Sequence, residues 1–183
     1  PGQPRPIRTA AFSAIQRAAW FPGGESLLLS ANEPGRAPRL YIQPAAGGDP
    51  RAITPEGIGA DWAIAPDGLR VAALDAGRRM QLYPIDGGEP VPAAGAEPGD
   101  APIRFSPDGR FLYVFSRREG GGGAEIHRIT RSSGAREAWR EIEPADPVGL
   151  YGVARVFLSA DGQSYVYAYV RFLDQLYLVD GLR

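Results

Sequence analysis

The sequence predicts an all-β chain of the β-propeller class, with about four four-stranded blades expected to belong to a larger ring. Three observations predict it. A turn signal recurs at a near-constant interval, apolar residues alternate into each turn, and the same order of strands follows every one. Repetition every roughly 40 to 50 residues, with four strands per unit, is the mark of propeller blades.

The turns are Pro22-Gly23-Gly24, Pro66-Asp67-Gly68, Pro107-Asp108-Gly109 and Ala160-Asp161-Gly162. Intervals of 44, 41 and 53 residues separate Gly24, Gly68, Gly109 and Gly162. Pro presets φ for the first central position of a turn, Asp tolerates the second, and Gly accepts the positive φ that follows. This chemistry predicts a type I turn with a bulge, closing a short hairpin.

The strands follow from the flanks. Two residues before the Pro position stand Trp20, Ile64, Phe105 and Leu158, and four before it stand Ala18, Trp62, Ile103 and Val156. Residues two apart share one face of a strand, so each turn is entered by a strand with an apolar face. After the turns come "SLLLSA", "RVAAL", "FLYVF" and "SYVYAYV", apolar on both faces as strands covered from both sides should be. Third strands are expected at "RLYIQ", "MQLYPI", "AEIHRI" and "DQLYLV". Fourth segments are expected at "GGDPRAIT", "GGEPVPA" and "SGAREAWREI". A sandwich would not repeat a four-strand unit in this order.

"GQPRPIRTA" at 2–10 resembles "GDPRAIT" at 48–54, so the chain opens on a last strand. The expected division is an outer strand in 1–14 and blades at 15–56, 57–95, 96–147 and 148–183. Either the first strand closes a four-bladed ring, or the chain is part of a larger ring. A start in mid-blade without Met favours the second.

Composition narrows the function classes. The net charge of −1 and pI near 5.9 argue against a nucleic-acid partner. No run approaches the roughly 18 apolar residues of a membrane span, so no membrane insertion by this chain is expected. Cys is absent, which removes disulfides and thiolate metal sites. All 20 basic residues are Arg, read as codon bias rather than an Arg-specific role.

The repeat, with its "W/F-x-PDG" turns, "LY" third strands and "GGxPR" fourth strands, resembles the TolB-like propeller family over nearly the whole chain. No Gly-His dipeptide or closing Trp-Asp marks it as a true WD repeat. The last stretch, "SADGQSYVYAYVRFLDQLYLVDGLR", is similar to the ending of propellers fused to bacterial eukaryotic-like serine/threonine kinases. That resemblance implies a regulatory end that binds protein or peptide, on the extracytoplasmic side of the inner membrane where the kinase is membrane-anchored. A stand-alone periplasmic TolB-like scaffold is the alternative. The propeller of a prolyl-oligopeptidase-like hydrolase is a third, disfavoured because "LVDGLR" reads as an ending. No kinase motif lies in the chain, so no catalytic residue, cofactor or metal is expected.

Single residues weigh little. His127, the only histidine, falls where Tyr41, Tyr83 and Tyr177 stand and reads as a blade side chain. "EGGGGA" at 119–124 lacks the Gly-Lys-Ser/Thr of a phosphate loop and reads as a hairpin tip. Tyr165, Tyr167 and Tyr169 alternate onto one face, expected to pack in the core. The candidate ligand face sits five residues before the Pro position, where Arg17, Asp61, Pro102 and Arg155 stand. Inner strands line a propeller's channel, so these residues should ring its entrance. Loops reaching the same face carry Arg36, Arg39, Arg78, Arg79, Arg117, Arg118 and Arg171, interleaved with Glu56, Glu97, Asp100, Glu143 and Asp146.

Overall fold

A computed structural model describes residues 6–7, 12–118 and 122–177. The first sheet holds β1 (Ala14–Trp20), β2 (Ser26–Asn32), β3 (Arg39–Pro44) and β4 (Arg51–Ala52). The second holds β5 (Trp62–Ile64), β6 (Arg70–Leu74), β7 (Met80–Pro84) and β8 (Val91–Pro92). The third holds β9 (Ala101–Phe105), β10 (Phe111–Arg117), β11 (Ala124–Thr130) and β12 (Arg136–Ile142). The fourth pairs β13 (Leu150–Leu158) with β14 (Tyr165–Arg171). Every pairing is antiparallel between consecutive strands, as in propeller blades.

The sheets stack face to face through their second strands. Val71 and Ala73 of β6 join Leu28, Leu40, Trp62 and Tyr83 in a core between the first and second sheets. Their neighbours Ala72 and Leu74 join Phe105, Leu112 and Val114 in a core between the second and third. Tyr113 and Phe115 of β10 turn the other way, onto Val153, Val156 and Leu158 of the fourth. Alternation along one strand thus feeds two cores, which is why these segments are apolar at every position.

All four turns close alike. Gly24, Gly68, Gly109 and Gly162 each have φ +70°, and their N–H groups donate to the carbonyls of Phe21, Ala65, Ser106 and Ser159 at 2.9–3.1 Å. Asp67, Asp108 and Asp161 each accept the N–H two residues on, at 2.9, 3.1 and 2.9 Å. Ser106 Oγ also donates to Asp108 at 2.6 Å. That hydroxyl, and then the Arg110 N–H, hold the Asp108 carboxyl below its ordinary value. Ser159 and the Gln163 N–H do the same for Asp161. The turns also register the sheets: a Cβ on Gly109 would stand 3.3 Å from Cγ of Pro66 in the preceding turn.

The fourth sheet departs from the expected pattern. "DQLYLV" forms no strand over 174–177, and 178–179 lie outside the described residues. Two of the three tyrosines expected in the core, Tyr165 and Tyr169, are exposed, and only Tyr167 packs against the core beneath. No described strand pairs the free edge of β14 and no described sheet covers its outer face. Val166, Val170, Phe172 and Leu173 are bare with them. At the other end, Ile15 and Trp20 of β1 are likewise exposed. The segment at 2–10 lies largely outside the described residues, and Pro6 and Ile7 form no strand. Among the described residues no sheet closes the ring. No described helix is long and apolar enough to cross a membrane.

Two outcomes test the turns. Gly24→Ala, with open space around its Cβ, is expected to cost about 1–2 kcal/mol from positive φ alone. Gly109→Ala should cost more, because Pro66 must also move, and paired urea melts would read the difference. For Asp108 and Asp161, folding lowers the pKa, so their stabilisation is complete above the ordinary Asp range and fades as pH falls through the lowered values. Asp108→Asn should therefore flatten the acid limb of a stability–pH curve and leave its neutral slope unchanged.

Candidate functional site

β1, β5, β9 and β13 each have one edge that no described strand pairs, and arginines serve carbonyls on or beside these strands. Arg17 of β1 donates through Nη1 to the Ala60 and Trp62 carbonyls at 2.9 and 2.8 Å, with its guanidinium 3.8 Å above the Trp62 ring. Arg104 of β9 donates through Nη1 to the Leu158 carbonyl at 3.1 Å and through Nε to that of Phe105 at 3.1 Å. Arg117, at the end of β10, reaches the Val153 carbonyl at 2.6 Å. Arg17 serves both carbonyls from the one Nη1, so what a lysine ammonium would lack here is the planar face laid over Trp62 rather than the number of donors.

Arg17, Asp61 and Arg155 come within electrostatic reach of one another. Burial lowers the pKa of Arg17, the cation of Arg155 lowers it further, and Asp61 opposes both. Arg155 follows an irregularity in β13 between Val153 and itself. It makes no hydrogen bond or ion pair among the described residues. Asp61 borders a separate hollow of about 250 Å³ beside Pro38, Asp75 and Arg78. Pro102 is buried in β9 and brings no charge. The three charged members of the expected set thus share one field, with two cations against one carboxylate.

The surrounding loop charges sort mostly into pairs. Arg36 meets Glu56 at 2.8 Å, Arg118 meets Glu143 at 2.6 Å, and Arg171 meets Asp146 at 2.7 Å. Arg39 and Arg79 pair with Glu33 and Asp75 at 3.1 and 3.4 Å. Asp100 departs from a solvated loop position. It is buried in a two-pronged bond with Arg136, at 2.6 and 3.0 Å, and accepts the Glu97 N–H at 2.8 Å.

A cleft of about 450 Å³ opens at the turn end of β1, β5 and β9. Its walls include Trp20, Trp62, Ile103 and Phe105, with the prolines of three turns at its rim. Its charged lining is Arg17 and Arg104. The sequence reading passed over Arg104, three residues before Pro107, where Ala19, Ala63 and Phe157 stand. The signal was present: a charge at a position otherwise small or apolar.

His127 sits opposite Val114 in β11, with Glu125 at 3.5 Å, as a partly buried blade side chain. Tyr41 holds the matching place opposite Leu29, whereas in the second sheet Gln81 takes it opposite Ala73 and Tyr83 stands two residues away opposite Val71. Residues 119–121 of the Gly-rich tip lie outside the described residues. Among the described residues no group of three His, Asp or Glu side chains could hold a metal.

Stacked antiparallel sheets of consecutive strands, three of four strands and one of two, are the arrangement of β-propeller blades. Solved TolB structures share this fold. TolB from Acinetobacter baumannii matches with TM-score 0.64 at 21% identity, over 84% of this chain and 37% of that one. A protein assigned as TolB from Agrobacterium tumefaciens matches with TM-score 0.66 at 21% identity, over 90% of this chain and 58% of that one. The oligogalacturonate lyase of Vibrio parahaemolyticus matches with TM-score 0.61 at 9% identity, over 88% and 47%. The chain therefore spans roughly a third to three fifths of these proteins' lengths. These likenesses establish the fold. No protein-family model and no curated protein sequence matches the chain.

The arginine roles separate in a chemical melt. Arg17→Ala should leave two carbonyls poorly served and cost about 1–3 kcal/mol. Arg155→Ala strands no acceptor and removes a like charge from Arg17, so its urea midpoint should equal or exceed that of the parent.

Proposed function

We propose that this chain is a non-catalytic propeller that binds protein or peptide and serves as the C-terminal regulatory part of a bacterial serine/threonine kinase. The observation that carries the binding reading is the Arg17–Asp61–Arg155 set at the channel, with Arg155 unpaired among the described residues. Guanidiniums stay protonated at neutral pH, so they suit holding acidic groups better than transferring protons. The kinase attachment rests on the resemblance of residues 159–183, and it would place the propeller outside the cytoplasm. A second reading, an envelope scaffold, draws support from the likeness to the two TolB structures. An oligogalacturonate lyase shares the fold too, so the non-catalytic reading stands on the character of the site rather than on the fold.

A photo-crosslinking residue at position 61, introduced in cells, tests the binding reading. One protein should be captured there and not from a control at Glu141 on an outer strand, and Arg155→Glu should reduce its yield at least tenfold. Equal capture at both positions would remove the channel as the binding face. Reading the coding region upstream of Pro1 decides the attachment: a kinase domain and apolar span support the first reading, a signal peptide with further blades the second.

A further inference from the structure

The cleft at the turn end is chemically unlike the Asp61–Arg155 end of the channel. Its volume of about 450 Å³ is of small-molecule size, and its wall sets apolar and aromatic side chains beside polar groups in nearly equal measure. The charges lining it are two cations, Arg17 and Arg104, and no carboxylate lines it. Both guanidiniums are already fixed by backbone carbonyls, Arg17 through Nη1 and Arg104 through Nε and Nη1. That leaves Nη2 of each, and Nε of Arg17, with N–H donors that no described group accepts. Neither arginine forms an ion pair among the described residues. The nearest opposing charges act from outside the lining: Asp61 faces Arg17, and Asp161 feels Arg104 from the fourth turn.

Rigid arginines with spare donors above a Trp-walled space match a particular ligand chemistry. The donors suit a carboxylate, which a guanidinium binds through two parallel hydrogen bonds. The walls suit an apolar or aromatic body behind it. We propose that this cleft binds a small aryl or alkyl carboxylate, its carboxylate held by Arg104 and Arg17 and its body lying against the accessible lining at Trp20, Ile64 and Pro107. The backbone anchors hold the two cations before any ligand arrives, so little side-chain ordering opposes binding. This site shares Arg17 with the peptide-binding reading but uses Arg104 in place of Asp61 and Arg155, so variants at 19 and 104 test it and variants at 61 and 155 test the other.

Isothermal titration of the 183-residue chain with 1-naphthylacetate tests it. Inorganic phosphate and the neutral 1-naphthylacetamide serve as comparison ligands. Saturable binding of the carboxylate, at least tenfold tighter than either comparison ligand, is expected. Arg104→Gln should weaken it at least tenfold. Because Arg104 also serves the Leu158 carbonyl, a second variant, Ala19→Trp, fills the cleft from β1 and leaves both arginines in place. It should abolish binding while the thermal transition persists. Equal affinity for the amide, equal affinity for phosphate, or undiminished binding to Ala19→Trp would each overturn the proposal, as would no saturation at all. Crosslinking at position 61 should be indifferent to Ala19→Trp, which keeps the two sites distinguishable.

Discussion

Everything in this molecule depends on the two-sided burial of the second strand in each blade. Val71 and Ala73 face backward and Ala72 and Leu74 face forward, so β6 belongs to two cores at once. A blade cannot bury both faces alone, and its neighbours supply what it lacks. The same rule accounts for the bare ends. Among the described residues β14 has a neighbour on one side only, and Tyr165, Val166, Tyr169 and Val170 are consequently exposed.

Inner strands bear a second constraint. Each has an edge whose carbonyls no described strand pairs, and unsatisfied acceptors are costly in a partly buried space. Arg17, Arg104 and Arg117 meet that demand while keeping other donors directed elsewhere. Structural bond and prospective ligand contact are thereby joined in single side chains. The positive charge of the cleft lining is consequently a by-product of how the blades are fastened, in a chain whose net charge is −1.

Local chemistry was legible in the sequence. The Pro-Asp-Gly turns could be read because Pro, Asp and Gly act within four residues, and the repeat fixed which strands lay innermost. Arg17, Asp61 and Arg155 were found together because the repeat aligns positions across sheets. Properties set by distant partners were hidden. Asp100 is buried because Arg136, 36 residues away, folds onto it. The alternation of Tyr165, Tyr167 and Tyr169 named a face correctly and said nothing of whether anything covers it. Arg104 was overlooked because alignment at one position of the inner strand drew attention from the next inward-facing one.

The arginine bonds between blades are unevenly distributed. Arg17 and Arg51 reach from the first sheet to carbonyls of the second, and Arg104 and Arg117 from the third to those of the fourth. Between the second and third sheets, no side-chain hydrogen bond crosses among the described residues, and alanines, Leu74, Met80 and Phe105 make the contact. Charged hydrogen bonds are short-ranged and directional, so a seam held by them resists small displacement and then gives way abruptly. A close-packed apolar seam interdigitates and resists displacement as well, by repacking rather than by breaking directional bonds. The middle seam, at Ala93 and Phe105, thus rests on burial, while the other two add bonds that set the angle between neighbouring blades.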